Sequence, residues 1–104
     1  MEEYYMNITI QSVHFDASER LEEFINQKVE KLEQFFDDII EAEVILRVDK
    51  ADTSENKLAE IELDIPGDNL FAKKQSKSFE ESVDLACDAL RKQLMKRKEK
   101  LKAK

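Results

Sequence analysis

The amino-acid sequence predicts an α+β fold in the order β-α-β-β-β-α, a four-stranded sheet with two helices packed on one of its faces. Three observations carry that expectation. Apolar and polar residues alternate with period two along Met6–Gln11, Glu43–Asp49 and Leu58–Ile65, the pattern of strands with one buried face. Two other stretches repeat apolar residues at three- and four-residue steps, as the buried stripe of a helix does. The only proline and the only glycine, Pro66 and Gly67, stand together before Asp68-Asn69 and mark the one sharp turn. Strands of alternating polarity bury a single face, so both helices must cover the same side of an antiparallel-rich sheet.

Met6-Asn7-Ile8-Thr9-Ile10-Gln11 is the first strand. Asp16-Ala17-Ser18-Glu19 then supplies a helix start, with Ser18 as N-cap and Glu19, Glu22 and Glu23 at the positive end of the dipole. This helix should run to about Phe36 and bury Leu21, Phe24, Ile25, Lys28, Leu32, Phe35 and Phe36 on one stripe. Lys28 packs its stem there and sends its ammonium to the rim. The second strand, Glu43–Asp49, turns Val44, Leu46 and Val48 inward, and the connection from Lys50 to Lys57 is polar. In the third, Leu58–Ile65, inward Ile61, Leu63 and Ile65 alternate with Glu60, Glu62 and Asp64. Leu70–Gln75 makes a short fourth strand. Ser78 caps a long helix from Phe79 to about Lys102, whose core stripe is Phe79, Val83, Ala86, Leu90 and Leu94, continued by Leu101. The first strand–helix–strand crossover should be right-handed.

A chain of 104 residues is about one domain long, with a core expected over residues 6–95 and a basic helix end over 91–104. No apolar run approaches the roughly 20 residues needed to cross a bilayer. Met1-Glu2-Glu3-Tyr4-Tyr5 is acidic and has no apolar segment after it, so it does not begin a signal peptide. The expected location is the cytoplasm. A single cysteine, Cys87, cannot form an internal disulfide and is expected to pack as a small hydrophobe. His14 and Cys87 lack metal-ligand spacing, and His14 reads as a structural or solvated histidine. No nucleophile–base pair, metal set or glycine-rich phosphate loop is present in the sequence, so neither an enzyme nor a cofactor is expected. Tyr4 and Tyr5 are placed near the first strand or its edge.

The net charge of −7 hides a division. Residues 91–104 hold Arg91, Lys92, Lys96, Arg97, Lys98, Lys100, Lys102 and Lys104 against Glu99 alone, a local +7 that leaves −14 on the remaining chain. At about 100° per residue, Arg91, Lys98 and Lys102 line one flank of the last helix, and Lys92 and Lys96 lie on its outer face. Lys73, Lys74 and Lys77 extend the cationic surface. Evenly spaced cations on a rigid element suit a phosphate backbone, although a lysine-rich helix end also complements the helix dipole. The outer face of the sheet offers Glu43, Arg47, Asp49, Glu60, Glu62 and Asp64, a surface that repels nucleic acid and has no aromatic platform for bases. RNA is therefore expected on the helical side. Two other readings stay open: a protein-interaction module using Glu60, Glu62 and Asp64, and a general binder of structured RNA, since the layout resembles a double-stranded RNA-binding domain.

Two helical signatures carry a resemblance. The first runs from Leu21 to Asp37 and contains Lys28-Val29-Glu30-Lys31-Leu32-Glu33-Gln34-Phe35-Phe36. The second is Val83-Asp84-Leu85-Ala86-Cys87-Asp88-Ala89-Leu90-Arg91-Lys92-Gln93-Leu94, followed by Lys96-Arg97-Lys98-Glu99-Lys100. With Met6-Asn7-Ile8-Thr9-Ile10 and the element order, the chain from Met6 to Lys102 resembles the ribosome hibernation-promoting factors. The resemblance implies a factor of stressed or stationary bacteria that binds the small ribosomal subunit in the channel for messenger and transfer RNA, and blocks translation by occupancy. By position it implies ribosomal RNA contacts at Lys28 and Lys31 and at Lys92, Lys96, Lys98, Lys100 and Lys102. Arg91 and Arg97 lie among these, and Lys74 and Lys77 beside them. The start of the last helix departs from the family, with Glu80 where a tyrosine is usual and Ala89 where a lysine is common. Ending at Lys104, the chain resembles a short form without the second domain through which long members pair ribosomes; a helper factor would then serve any pairing.

Overall fold

The computed structural model describes residues 6–50 and 54–102, with nothing said of the side chains of 101 and 102. Asn7–Ser12 forms β1 and Glu41–Val48 forms β2, and these pair in parallel. β3, Lys57–Ile65, is antiparallel to β2, and β4, Asp68–Ser76, is antiparallel to β3. The strands therefore lie in the order β1-β2-β3-β4. Between β1 and β2 the chain forms α1, Glu19–Glu30, and it ends in α2, Phe79–Lys102. The expected α+β architecture is the one observed.

Register explains why one face is buried. Ile10, Val44, Ile61 and Ala72 are partners across all four strands, as are Ile8, Ala42, Leu63 and Leu70. Both rows point to the helices. α1 packs on β1 and against α2, and α2 packs on β3 and β4. Ile25 and Val29 of α1 and Val83, Ala86, Leu90 and Leu94 of α2 are fully enclosed with Val44, Leu46, Ile61 and Leu63. Pro66-Gly67 joins β3 to β4 in a two-residue turn; Pro66 fixes a negative φ, and Gly67 takes φ +82°, open to a residue without a Cβ.

Four expectations are corrected. α1 stops at Glu30 and the chain tightens into a 3-10 turn over Lys31–Gln34. A 3-10 turn has 3.0 residues rather than 3.6, so it rotates Phe35 and Phe36 off the stripe and leaves both half-buried. The centre of the α1 stripe is Leu21, Ile25, Val29 and Leu32, with Phe24 and Lys28 at its margin. Val48 is 46% exposed, because it lies at the last pair of β2 and β3, beyond the helical cover. β2 and β4 each begin two residues earlier than the alternation indicates, at Glu41 and Asp68.

Both helix starts are capped as the sequence indicates: Ser18 Oγ accepts the Leu21 N–H at 3.1 Å, and Ser78 Oγ accepts the Glu81 N–H at 3.1 Å. A buried pair of serines anchors the second start. Ser82 Oγ donates to the Lys57 carbonyl at 2.6 Å and lies 2.7 Å from Ser76 Oγ, tying α2 to the facing ends of β3 and β4. Both are almost completely enclosed. Replacing Ser82 with Ala removes the donor to the Lys57 carbonyl and one of two hydrogen-bond partners of Ser76, whose hydroxyl keeps the Ser78 carbonyl at 2.8 Å, so Ser82→Ala should lower stability by about 1–3 kcal/mol. Urea unfolding should show this as a lower midpoint with an unchanged m-value.

Candidate nucleic-acid interface

The direction of each cation on α2 follows from the helical period and the buried stripe. With Leu90 pointing to the sheet, Arg91 and Lys98 fall about 80–100° to one side, toward α1, and Lys96 and Lys100 about 80–120° to the other, toward β4. Lys92 lies near the crest with Met95 and Glu99. Lys96, Lys98 and Lys100 are exposed, and none has an ion-pair partner among the described residues. Lys102 ends the helix; its side chain, and Lys104, Tyr4 and Tyr5, lie outside the described residues.

Other predicted cations are tied down. Arg91 donates to Asp88 at 2.9 Å, one turn before it on the same helix, and its guanidinium lies 5.8 Å from the centroid of the Phe35 ring. Lys92 reaches the second oxygen of Asp88 at 3.3 Å. These hydrogen bonds, first from Arg91 and then from Lys92, hold the Asp88 carboxyl below the usual range. Lys28 bridges the helices through Asp84 at 2.8 Å and lies 5.7 Å from the Phe24 ring centroid. The bond to Asp84 raises its pKa, so Lys28 is a cation on the rim, as its place in the stripe indicates.

Arg97 follows Leu94 in the inward direction, past the last buried position of α2. There it meets the β3–β4 turn and binds Asp68 at 2.5 Å, and a Cβ on Gly67 would lie 3.9 Å from its guanidinium. Gln93 of the same helix donates to the Phe71 carbonyl at 3.0 Å on the edge strand. A recess of about 230 Å³ lies between helix and strand, lined by Asp68, Leu70, Gln93, Lys96, Arg97 and Lys100.

Lys31 is exposed at the start of the 3-10 turn, and Lys77 is exposed just before α2. Strand alternation separates two lysines that the sequence groups together. Lys74 is opposite Ala59 and stands on the helical side, but Lys73 is opposite Glu60 and stands on the outer face, so it does not extend the cationic surface of the helices. On that outer face Glu43 is opposite Glu62 and Glu41 opposite Asp64, direct like-charge pairs that a sheet tolerates only at a cost. They line a shallow depression with Asn69. Glu60 is compensated by Arg47 at 3.5 Å, and Asp49 accepts the Gln75 amide at 3.1 Å. His14 is exposed at φ +66° in the bend after β1, and Phe15 beside it stacks on Phe79 with centroids 5.1 Å apart.

Sequence reasoning missed the aspartates. Asp88 was detectable, since residues three and four apart on a helix are neighbours and Arg91 and Lys92 stand at those spacings. The pairing of Asp68 with Arg97 spans 29 residues and had no local signal.

Fold and surface together define a class: a small α+β module that presents cations from the end of its last helix and carboxylates from its sheet. The family model described as Sigma 54 modulation protein / S30EA ribosomal protein matches residues 8–102, and the chain belongs to that family. A ribosome hibernation promoting factor of Escherichia coli K12 is 32% identical over 97 residues, covering 93% of this chain and 98% of that protein. One from Pseudomonas putida is 30% identical over 95 residues, covering 91% of this chain and 89% of its own length. Among solved structures, a ribosomal subunit interface protein from Coxiella burnetii superposes with a TM-score of 0.79 at 25% identity, over 89% of this chain and 98% of that one. The N-terminal domain of Protein Y from Thermus thermophilus shares the fold, with a TM-score of 0.76 at 22% identity over 88% and 98% of the two chains.

Cys87 lies at the edge of the α2 stripe and is buried, as its place in the sequence indicates, and burial pushes its thiol pKa up to about 12. The folded state therefore holds this proton more tightly than the unfolded chain. Its contribution to stability is complete below the ordinary thiol range and is lost as pH rises toward 12. Alkylation by iodoacetamide at mildly alkaline pH should be slow in the native protein and fast in urea. Rapid native alkylation would contradict the burial.

Proposed function

We propose that this chain is a ribosome hibernation factor that binds the small ribosomal subunit in the channel for messenger and transfer RNA. It inhibits translation there under stress or in stationary phase, in the cytoplasm, by occupying the channel rather than by chemistry. One observation carries the reading: exposed Lys96, Lys98 and Lys100 project from a rigid helix end, while the opposite face of the sheet is acidic. The relatives named as ribosome hibernation promoting factors, matched over almost their whole length, support the same partner. Lys31, Lys74, Lys77, Lys92 and Lys102 belong to the proposed contact surface. Lys28, Arg91 and Arg97 belong to it as well.

Attraction between cations and phosphates makes binding steeply dependent on salt. Neutralising six or so phosphates weakens binding by roughly a thousandfold between about 50 and 200 mM salt. Wild-type protein should sediment with small subunits and whole ribosomes at low salt and leave them as salt rises. Reversing Lys96, Lys98 and Lys100 to Glu together should abolish co-sedimentation while the circular dichroism and thermal midpoint stay close to wild type, because all three side chains are exposed. Ribosome binding by this triple variant at wild-type strength would sink the basic-helix reading. The same gradients separate a factor that silences single ribosomes from one that pairs them with a helper.

The depression formed by Glu41, Glu43, Glu62 and Asp64 favours a second reading, in which the sheet docks a protein partner. Under it, reversing Glu62 and Asp64 to Lys removes function although ribosome binding survives.

A further inference from the structure

Four of the cations on the helical side are already engaged within the domain, and each partner is an aspartate. Lys28 holds Asp84 at 2.8 Å, Arg91 and Lys92 share Asp88 at 2.9 and 3.3 Å, and Arg97 holds Asp68 at 2.5 Å. Asp84 and Asp88 belong to α2, and Asp68 is opposite buried Ile65, on the helical side of the sheet. Aspartate has a short side chain, so its carboxylate stays near the backbone and draws the cationic head down along the surface. Lys96, Lys98 and Lys100 are unpaired among the described residues. The surface thus holds two populations of positive charge, one open and one occupied by an internal anion.

From this we infer that Asp88, with Asp84 and Asp68, sets the specificity of the surface by competing with RNA phosphates for these four cations. The inference rests on the reading that the helical side binds RNA. Non-specific binding is the sum of cation–phosphate contacts that release counterions, and a cation already neutralised by a carboxylate contributes little to it. Exposed ion pairs are weak, however, and a phosphate fixed at the right place by a folded RNA displaces the carboxylate at small cost. An RNA that presents phosphates at all the positions recovers what the aspartates withhold, but an arbitrary duplex does not. The three carboxylates therefore penalise arbitrary RNA more than the fitting one.

Asp88→Asn tests this, since it keeps the shape of the side chain and removes the charge that holds both Arg91 and Lys92. Binding of wild type and variant is measured across a salt series, on ribosomes and on a short RNA duplex of arbitrary sequence. On the duplex, Asp88→Asn should bind about three- to tenfold more tightly at low salt, with the log–log salt slope steeper by about one to two, one for each cation released. Ribosome binding should tighten less, so the preference for ribosomes falls. Glu99→Gln removes an exposed carboxylate from the same stretch that has no cation partner among the described residues. It should raise affinity without steepening the slope. Asp88→Glu, which retains the charge on a longer side chain, should return the slope toward the wild-type value. A wild-type slope for Asp88→Asn on the duplex would overturn the inference, as would equal steepening by Glu99→Gln. The duplex measurements need no ribosome, so failure of the wild-type protein to bind ribosomes counts against the proposed function alone.

Discussion

The inward row of Ile10, Val44, Ile61 and Ala72 crosses all four strands, and the outward positions on either side of them, polar except for Ile45 and Phe71, leave the other face unfit for a core. That single-sided burial governs the rest. Both helices must stack on the same face and compete for its width, so they meet each other and the sheet ends up with one bare side. α2 is the longer helix, and among the residues whose burial is described its last buried one is Leu94; the helix continues about 12 Å from there to Lys102 at 1.5 Å per residue. Lys96, Lys98 and Lys100 there are exposed, and their position at the helix C-terminus favours positive charge.

Separation of charge is the electrostatic counterpart of that architecture. Carboxylates collect on the bare sheet face, where Glu43 and Glu62 stand directly opposite each other, and ammonium groups collect on the helix end. Neither arrangement is favourable for folding taken alone. Each is moderated locally, by Arg47 beside Glu60 on one side and by the aspartates of α2 and the turn on the other. The domain as a whole carries −7, yet the surface at the end of α2 is cationic; a polyanion approaching at random is turned away by most of the molecule. Orientation of encounter is thereby built into the fold.

Much of this was legible in the sequence because it depends on short-range periodicities. Period two placed β1, β2 and β3, and the three-and-four-residue step placed α2 and identified Val83, Ala86, Leu90 and Leu94 as core. What was not legible depended on small rotations or distant partners. The 3-10 turn after Glu30 has no glycine or proline to announce it, and it moved Phe35 from the core to a place beneath Arg91. Lys73 and Lys74 are adjacent in sequence, and only the register of β4 against β3 shows that they point to opposite sides. For the site, lysine spacing located the cationic end, but it could not distinguish open cations from those with partners. Arg97 looked like one more basic residue, and only the fold carries it to Asp68.

The contact between Arg97 and the β3–β4 turn also limits how the gene can vary. Surface hairpins are ordinarily the places where a chain accepts insertions and deletions most readily. Here the turn holds only Pro66 and Gly67, and one added residue would displace Asp68 from the guanidinium and bring a Cβ or a longer loop against the helix. Length at this hairpin therefore bears on whether Arg97, far along the chain, keeps its partner.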